Sequence, residues 1–314
     1  MFEYISSQIV YSMMGLQTGS RETEVIYFFI YDSIKILTLV FAVVTVIAFI
    51  RTFFAPGKTK AFMAKAKYGS GNLIASMFGA VTPFCSCSSI PIFIGFIKAG
   101  VPAGVAFSFL ITSPLVNEVA FVIMGGMFGW RLATLYAVSG IVLGVVCGIL
   151  IDLIGVEKEI ILERGPKIMQ PDFLPKTFDA KSKYAVKEGW TTLKKLFPYI
   201  LAGVMMGALI HGYVPQEFFM KYVGKYEMLS VPIAVLIGVP IYAGCSMLVP
   251  IIFSITANGV PLGTSLAFMM AIAGLSLPEA VMLKRVLSIK LIGIFFGMVA
   301  AGIVIIGYLF NFLS

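Results

Sequence analysis

The chain has 314 residues, 59% of them hydrophobic and 12% charged, with a formal net charge of +8 at pH 7. A soluble domain carries about 25% charged residues, so this composition, with a mean hydropathy of +0.99, excludes a water-soluble enzyme and indicates a membrane protein, which the length of its apolar windows makes an all-α integral membrane protein. The Lys and Arg lie in short runs beside apolar segments, as juxtamembrane charges do. They form no basic domain with interleaved aromatics, so no nucleic-acid partner is expected.

In chain order, residues 1–24 lack both a basic leader and an uninterrupted apolar core, and do not read as a cleaved signal peptide. Apolar windows of about 20 residues, enough to cross roughly 30 Å of hydrocarbon as helix, follow at 25–50, 71–97, 101–125 and 130–154. The first is interrupted only by Asp32 and Lys35, which share a helix face and can neutralise each other. Residues 155–190 are the one long polar stretch, broken around Gly165, Pro166, Pro171 and Pro175, and read as a cytoplasmic linker. Four further apolar windows occupy 191–214, 230–257, 261–283 and 286–312. The chain thus divides into a first membrane repeat at 1–154, the linker at 155–190 and a second membrane repeat at 191–314.

The two halves resemble each other. Cys87-Ser88-Ser89-Ile90-Pro91 runs to Gly100-Val101-Pro102-Ala103-Gly104, and Cys245-Ser246-Met247-Leu248-Val249-Pro250 runs to Gly259-Val260-Pro261-Leu262-Gly263, with the same spacing from proline to glycine. Each copy then reaches an intramembrane carboxylate, Glu118 or Glu279. Each ends in a face of small residues expected to serve helix packing, at Gly140, Gly144 and Gly148 and at Gly293, Gly297 and Ala301.

Charge selects a topology. With eight plain transmembrane helices, Lys and Arg divide almost equally between the two sides, against the usual cytoplasmic excess. If 71–97 and 230–257 are instead re-entrant helical hairpins, eighteen basic residues share the linker side and four face the other. Each repeat then has three transmembrane helices plus one hairpin, an odd number of crossings. The second repeat is therefore inverted relative to the first, and the broken segments meet near the midplane, where secondary transporters bind solute. Eight plain helices with proline kinks are the alternative.

The densest cluster of chemistry is Thr82-Pro83-Phe84-Cys85-Ser86-Cys87-Ser88-Ser89, whose hydroxyls and thiols are bounded by prolines. Backbone freed at such a break bonds to neighbours or lines a cavity, and thiols suit soft, thiophilic solutes. Cys85, Cys87 and, from the other repeat, Cys245 beside Ser246 are expected to converge with Thr82, Ser86, Ser88 and Asn117 into a solute site. The bland reading of these residues is helix-break packing, and Cys147, in a glycine-rich face, is expected to be structural. Glu118 and Glu279 are the deep carboxylates, either coupling or gating groups that take up a proton or clamps for freed backbone amides. A single His and four Cys without zinc-site spacing point to no metal and no cofactor.

Residues 82–120, TPFCSCSSIPIFIGFIKAGVPAGVAFSFLITSPLVNEVA, resemble the predicted permeases of the ArsP/YraQ type, a family that includes organoarsenical efflux permeases. Residues 241–283, IYAGCSMLVPIIFSITANGVPLGTSLAFMMAIAGLSLPEAVML, resemble that family's second repeat. The family's Thr-Pro-Phe-Cys-Ser-Cys-Ser-Ser falls intact on Thr82 to Ser89, and its Ser-Pro-Leu-Val-Asn-Glu on Ser113 to Glu118. The resemblance implies a multi-pass inner-membrane permease, in a family whose members are associated with export of trivalent organoarsenicals.

The combined expectation is a permease rather than an enzyme. It moves a small thiophilic solute, an organoarsenical, metalloid or sulfur compound, by alternating access in membrane lipid, alone or as a homo-oligomer. The alternative is a membrane thiol/disulfide oxidoreductase passing electrons through Cys85 and Cys87 to a soluble partner.

Overall fold

A computed structural model describes residues 2–15, 20–51, 69–82, 86–98, 100–161, 177–213, 229–241, 245–257, 259–284 and 286–313, and the statements below concern these. They form helices joined by short turns and breaks, with one isolated antiparallel bridge, Ile160 to Leu287. Helix α1 (Phe2–Ser7) runs into a π-helical stretch, Gln8–Met13. Then come α2 (Arg21–Arg51), α3 (Ser70–Val81), α4 (Ser86–Lys98), α5 (Ala103–Leu115), α6 (Glu118–Phe128) and α7 (Trp130–Ile154). After a 3₁₀ turn at Val156–Glu159 follow α8 (Phe178–Tyr213), α9 (Ser230–Gly238), α10 (Cys245–Ala257), α11 (Leu262–Gly274), α12 (Leu277–Leu283) and α13 (Ile289–Leu313).

Four stretches are long and apolar enough to cross a membrane: Glu22–Val46, Trp130–Ile154, Leu262–Leu283 and Ile289–Leu313. A fifth is formed by α5 and α6 together, bent by 45°. The chain is therefore a multi-pass, all-helical membrane protein. Large side chains stand exposed on its long helices, among them Val138, Val142, Ile305 and Leu309, as a surface solvated by lipid allows.

The apolar windows are not all single rods. The 101–125 window breaks at Val116 and Asn117. Pro114 removes the amide that the Leu110 carbonyl would receive, and the Asn117 side chain starts the next helix by accepting from the amides of Val119 (2.9 Å) and Ala120 (3.2 Å). The 71–97 and 230–257 windows each divide into two helices, and Leu275 and Ser276 separate α11 from α12. Helix α8 begins at Phe178, so the polar residues from there to the 191–214 window are helical too and carry the exposed Asp179 to Lys183 ion pair.

Packing fixes the depth of each break. Helix α5 runs antiparallel to α7: the Gly104 amide donates to Asp152 Oδ1 (2.6 Å) at one end, Ser108 lies against Gly148, Thr112 against Gly144, and Val116 against Gly140. Helix α6 continues to the opposite end, where Gly125 packs under the Trp130 ring. Helix α3 lies beside α5 in the same direction, with Asn72 donating to Ser108 (3.0 Å) and Gly79 against the Phe109 carbonyl. Helix α4 runs the other way, with Ser89 opposite Ser113 and the Phe93 ring 4.9 Å from Phe107, and turns into α5 at Gly100 with φ 78°.

The same arrangement recurs 159 residues later: α4 and α10, α5 and α11, and α7 and α13 have identical lengths and starting points at that displacement. The bond from the Gly104 amide to Asp152 reappears as the Gly263 amide donating to Asn311 Oδ1 (2.7 Å), and the positive φ of Gly100 reappears at Gly259. Helix α13 packs antiparallel to α7. Its start is tied to the end of α7 by the Ser288 amide donating to the Glu159 carbonyl (2.9 Å), and its end, at Phe310 and Leu313, shares a cleft with Arg131 and Leu135 at the start of α7. Midway, Gly302 sits on Leu143, its own counterpart, and Gly274 likewise sits on Leu115.

The packing role expected of Gly140, Gly144 and Gly148 holds, since a Cβ at Gly144 or Gly148 would strike α5 and one at Gly140 would strike Val116 just beyond it. At Gly293 and Gly297 it does not: a Cβ there would meet nothing described within 4 Å. The close approaches of α13 are made by Gly302 and Gly307, because these are the positions turned toward α7 and α11.

Candidate functional site

The polar residues singled out from sequence fall at the helix breaks. Ser86, Cys87 and Ser88 form the first turn of α4, and Cys245 and Ser246 open α10, at matching positions in the 159-residue repeat. Cys85 lies outside the described residues, and so does any convergence of the Cys85, Cys87 and Cys245 thiols. Thr82, at the end of α3, is half-buried and donates back to the Phe78 (2.7 Å) and Gly79 (3.2 Å) carbonyls, which caps its own helix. Cys147 is buried in the α7 packing face, matching its structural assignment.

Asn117 and Glu118 stand at the second break. Asn117 is the N-cap of α6 and Glu118 its first residue, which sets the carboxylate at the positive end of the helix dipole. Glu118 Oε2 is buried and has no hydrogen-bond partner among the described residues. Glu279 lies in the first turn of α12, 1% exposed. The two carboxylates are not register equivalents: the counterpart of Glu118 is Leu277, and that of Glu279 is Ala120. The cap counterparts are Asn117 and Ser276, and only Asn117 makes a side-chain cap bond.

The depth of this break gives it meaning. Val116 rests against Gly140, close to the centre of the 25-residue helix α7. At 1.5 Å per residue α7 is about 37 Å long, so a membrane crossed by α7 has its midplane at the α5–α6 break. Ser89 and Ser113 exchange a buried hydrogen bond of 2.7 Å one turn short of that level. The break therefore combines a helix N-terminus, hydroxyls and a carboxylate at mid-depth, which is equipment for holding a polar solute or a proton inside lipid.

Sequence reasoning missed a set of buried polar groups on the α3, α5 and α7 interface. Asn72 donates to Ser108 Oγ, Ser108 donates to the Gly104 carbonyl (3.0 Å), and Ser76 donates to the Ser108 carbonyl (3.4 Å). Thr112 is fully buried with no partner for its hydroxyl among the described residues. Comparing the repeats position by position would have found them, because their counterparts are Val231, Ala267, Val235 and Ala271. Among the described residues no group of three or more His, Cys, Asp or Glu side chains is placed to hold a metal ion.

At the membrane edge Glu159 accepts a hydrogen bond from the Ser288 hydroxyl (2.6 Å) and pairs with Lys290 (3.5 Å). The Ser288 bond and the Lys290 charge hold its carboxyl below the usual value of 4.5. Lys35 places its ammonium over the Tyr31 ring, 5.3 Å from the centroid.

The family model described as "Predicted permease", ArsP_1, matches residues 22–312. The UPF0718 protein MJ0584 of Methanocaldococcus jannaschii is 23% identical over 293 residues, covering 75% of this chain and 80% of that protein. The UPF0718 protein YraQ of Escherichia coli is 26% identical over 247 residues, 76% of this chain and 66% of its own length. A Streptococcus mutans protein, named as a subunit of a two-component membrane permease complex, is 27% identical over 192 residues, 60% of this chain and 63% of that protein. No solved structure matches the chain.

Proposed function

The chain belongs to the ArsP_1 family of predicted permeases, and from that membership we propose that it is a secondary transporter of a small thiophilic solute, an organoarsenical, metalloid or sulfur compound. Solute is held at the midplane by Cys85, Cys87 and Cys245 with Thr82, Ser86, Ser88, Ser246 and Asn117, and Glu118 and Glu279 serve as coupling or gating carboxylates. The observation that carries this reading is the depth of the α5–α6 break, which sets the Asn117 and Glu118 pair at the centre of α7.

Two inverted repeats, 1–154 and 191–314, joined by a cytoplasmic linker at 155–190, give the mechanism its two states. The antiparallel packing of the counterpart helices α7 and α13, in touch at Leu143 and Gly302, supports inversion. The opposite directions of α3 and α4 along α5 support a re-entrant hairpin that enters and leaves on one side. Rocking one repeat against the other then opens the shared midplane to each side in turn. The chain resides in the inner membrane. By analogy with the name of its Streptococcus relative it works with a second membrane subunit. No observation favours the thiol oxidoreductase alternative.

The test is flux. In proteoliposomes loaded with a trivalent methylarsenical, Cys87→Ser is expected to lose most of the protein-dependent efflux while unfolding at the same temperature as the parent. Undiminished efflux in that variant rejects thiol coordination.

A further inference from the structure

The two repeats share their backbone contacts but not their polarity, and the difference lies on one seam. In the first repeat a buried polar seam starts at Asp152, which receives the Gly104 amide. It continues through Ser108 and Asn72 to Ser76, and ends at Thr112, which lies with Ser76 against Gly144. One helical turn farther along α5 the helix breaks and Glu118 begins α6. In the second repeat the matching seam starts at the neutral Asn311, and its buried polar groups, Thr264 and Ser265 in the first turn of α11 and Ser230, which shares a 3.1 Å hydrogen bond with Thr264 at the start of α9, go no deeper. Val231, Val235, Ala267 and Ala271 occupy the remaining positions.

The second repeat is an internal control. Beyond the Ser230, Thr264 and Asn311 hydrogen bonds at the helix starts it builds the same contacts with apolar side chains, so the fold does not require the deeper hydroxyls and amide. Buried polar groups in a membrane interior are costly unless partnered, and the Thr112 hydroxyl, fully buried, has no partner among the described residues. The seam also has a carboxylate at each end, Asp152 part-buried at its mouth and Glu118 with an unpartnered buried oxygen at its head.

We infer that the α3–α5–α7 seam is a proton entry path connecting the Asp152 side of the membrane to Glu118, and that the second repeat has no such path to Glu279. One proton passes from bulk water at Asp152, along water threaded between the Asn72, Ser76, Ser108 and Thr112 groups, to the Glu118 carboxylate, which becomes a neutral carboxylic acid. The hydroxyls and amide supply the several polar partners that a buried water needs. The titratable side chains on the helices packed against α6 are Arg131, Tyr136, Cys147 and Asp152 on α7 and Cys245 on α10. This inference rests on the reading of Glu118 as a coupling group and is independent of thiol coordination.

The test uses the purified full chain in proteoliposomes, with no solute, followed by infrared spectroscopy during acidification and transfer to heavy water. A protonated-carboxyl band that is absent in Glu118→Gln is expected. Its deuterium exchange is expected to slow about tenfold or more in the combined variant Asn72→Val, Ser76→Val, Ser108→Ala and Thr112→Ala. Thr112→Ala alone, which copies Ala271, is expected to slow it in the same direction, and decides the matter if the combined variant does not fold. A Glu279 band is expected to exchange at the parent rate in both. Absence of any Glu118 band overturns both the coupling role and the path. An unchanged Glu118 exchange rate overturns the path and leaves the coupling role standing. Failure of the Cys87 flux test touches neither.

Discussion

Replacing Gly148 by Ala tests the packing that holds α3 and α5 against α7. A Cβ at Gly148 would strike the Ser108 hydroxyl and lie 2.5 Å from the Gly104 carbonyl and 2.9 Å from Asn72 Nδ2. Alanine gains about 1 kcal/mol of helix propensity over glycine. Against that stand about 1–3 kcal/mol of overpacking and about 1 kcal/mol for each of the two Ser108 hydrogen bonds it displaces. The net is a destabilisation of roughly 2–4 kcal/mol. The matched substitution Gly307→Ala meets Val231 Cγ1 at 2.6 Å, Ala267 Cβ at 2.9 Å and the Gly263 carbonyl at 3.2 Å, with no hydrogen bond to lose. Its net cost is about 0–2 kcal/mol by the same ledger. Unfolding of both variants in the same detergent gives the comparison. If Gly307→Ala proves as damaging as Gly148→Ala, hydrogen bonds at the first seam are not what distinguishes the two repeats.

Two further predictions concern the junction between the repeats. Gly302→Ala drives a methyl into Leu143, at the contact between counterpart helices, and is expected to cost about 0–2 kcal/mol once the helix-propensity gain is subtracted. Leu143→Ala in the same chain is expected to recover part of that loss, and a double-mutant cycle giving strict additivity would contradict the contact. At the membrane edge, Glu159 has a lowered folded-state pKa, so its contacts with Ser288 and Lys290 stabilise fully above the ordinary carboxyl value of 4.5. That contribution is lost as pH falls through the lowered value. Glu159→Gln should flatten the acid limb of a plot of unfolding temperature against pH, and an unaltered limb would show that the clasp does not contribute.

Much of this was legible in the residues. The proline-to-glycine spacing from Pro91 to Gly100 and from Pro250 to Gly259 foretold two copies of one helical plan, because a turn needing positive φ takes glycine wherever it recurs. Thr82 and Ser86 through Ser89 foretold a break in the 71–97 window. The second break, at Val116 and Asn117, was hidden in a continuous apolar run, since a hydropathy window does not register one proline and a capping side chain. The small-residue face of α13 was assigned to Gly293 and Gly297, but which glycine meets a neighbour depends on the rotation of the helix. That rotation placed Gly302 and Gly307 in contact.

The seam was invisible for a different reason. Asn72, Ser76, Ser108 and Thr112 are scattered over two windows and are ordinary singly, as isolated Ser and Thr are in any membrane helix. Composition and periodicity determined that this chain lives in lipid, that it is helical and that it carries one plan twice, because those properties follow from transfer energies and turn geometry that act residue by residue. Only the tertiary structure decided that Val116 lies halfway along α7, that Leu143 touches its own counterpart and that four dispersed polar groups share one interface. Depth, partner and register are relations between segments, and they exist only once the helices are packed.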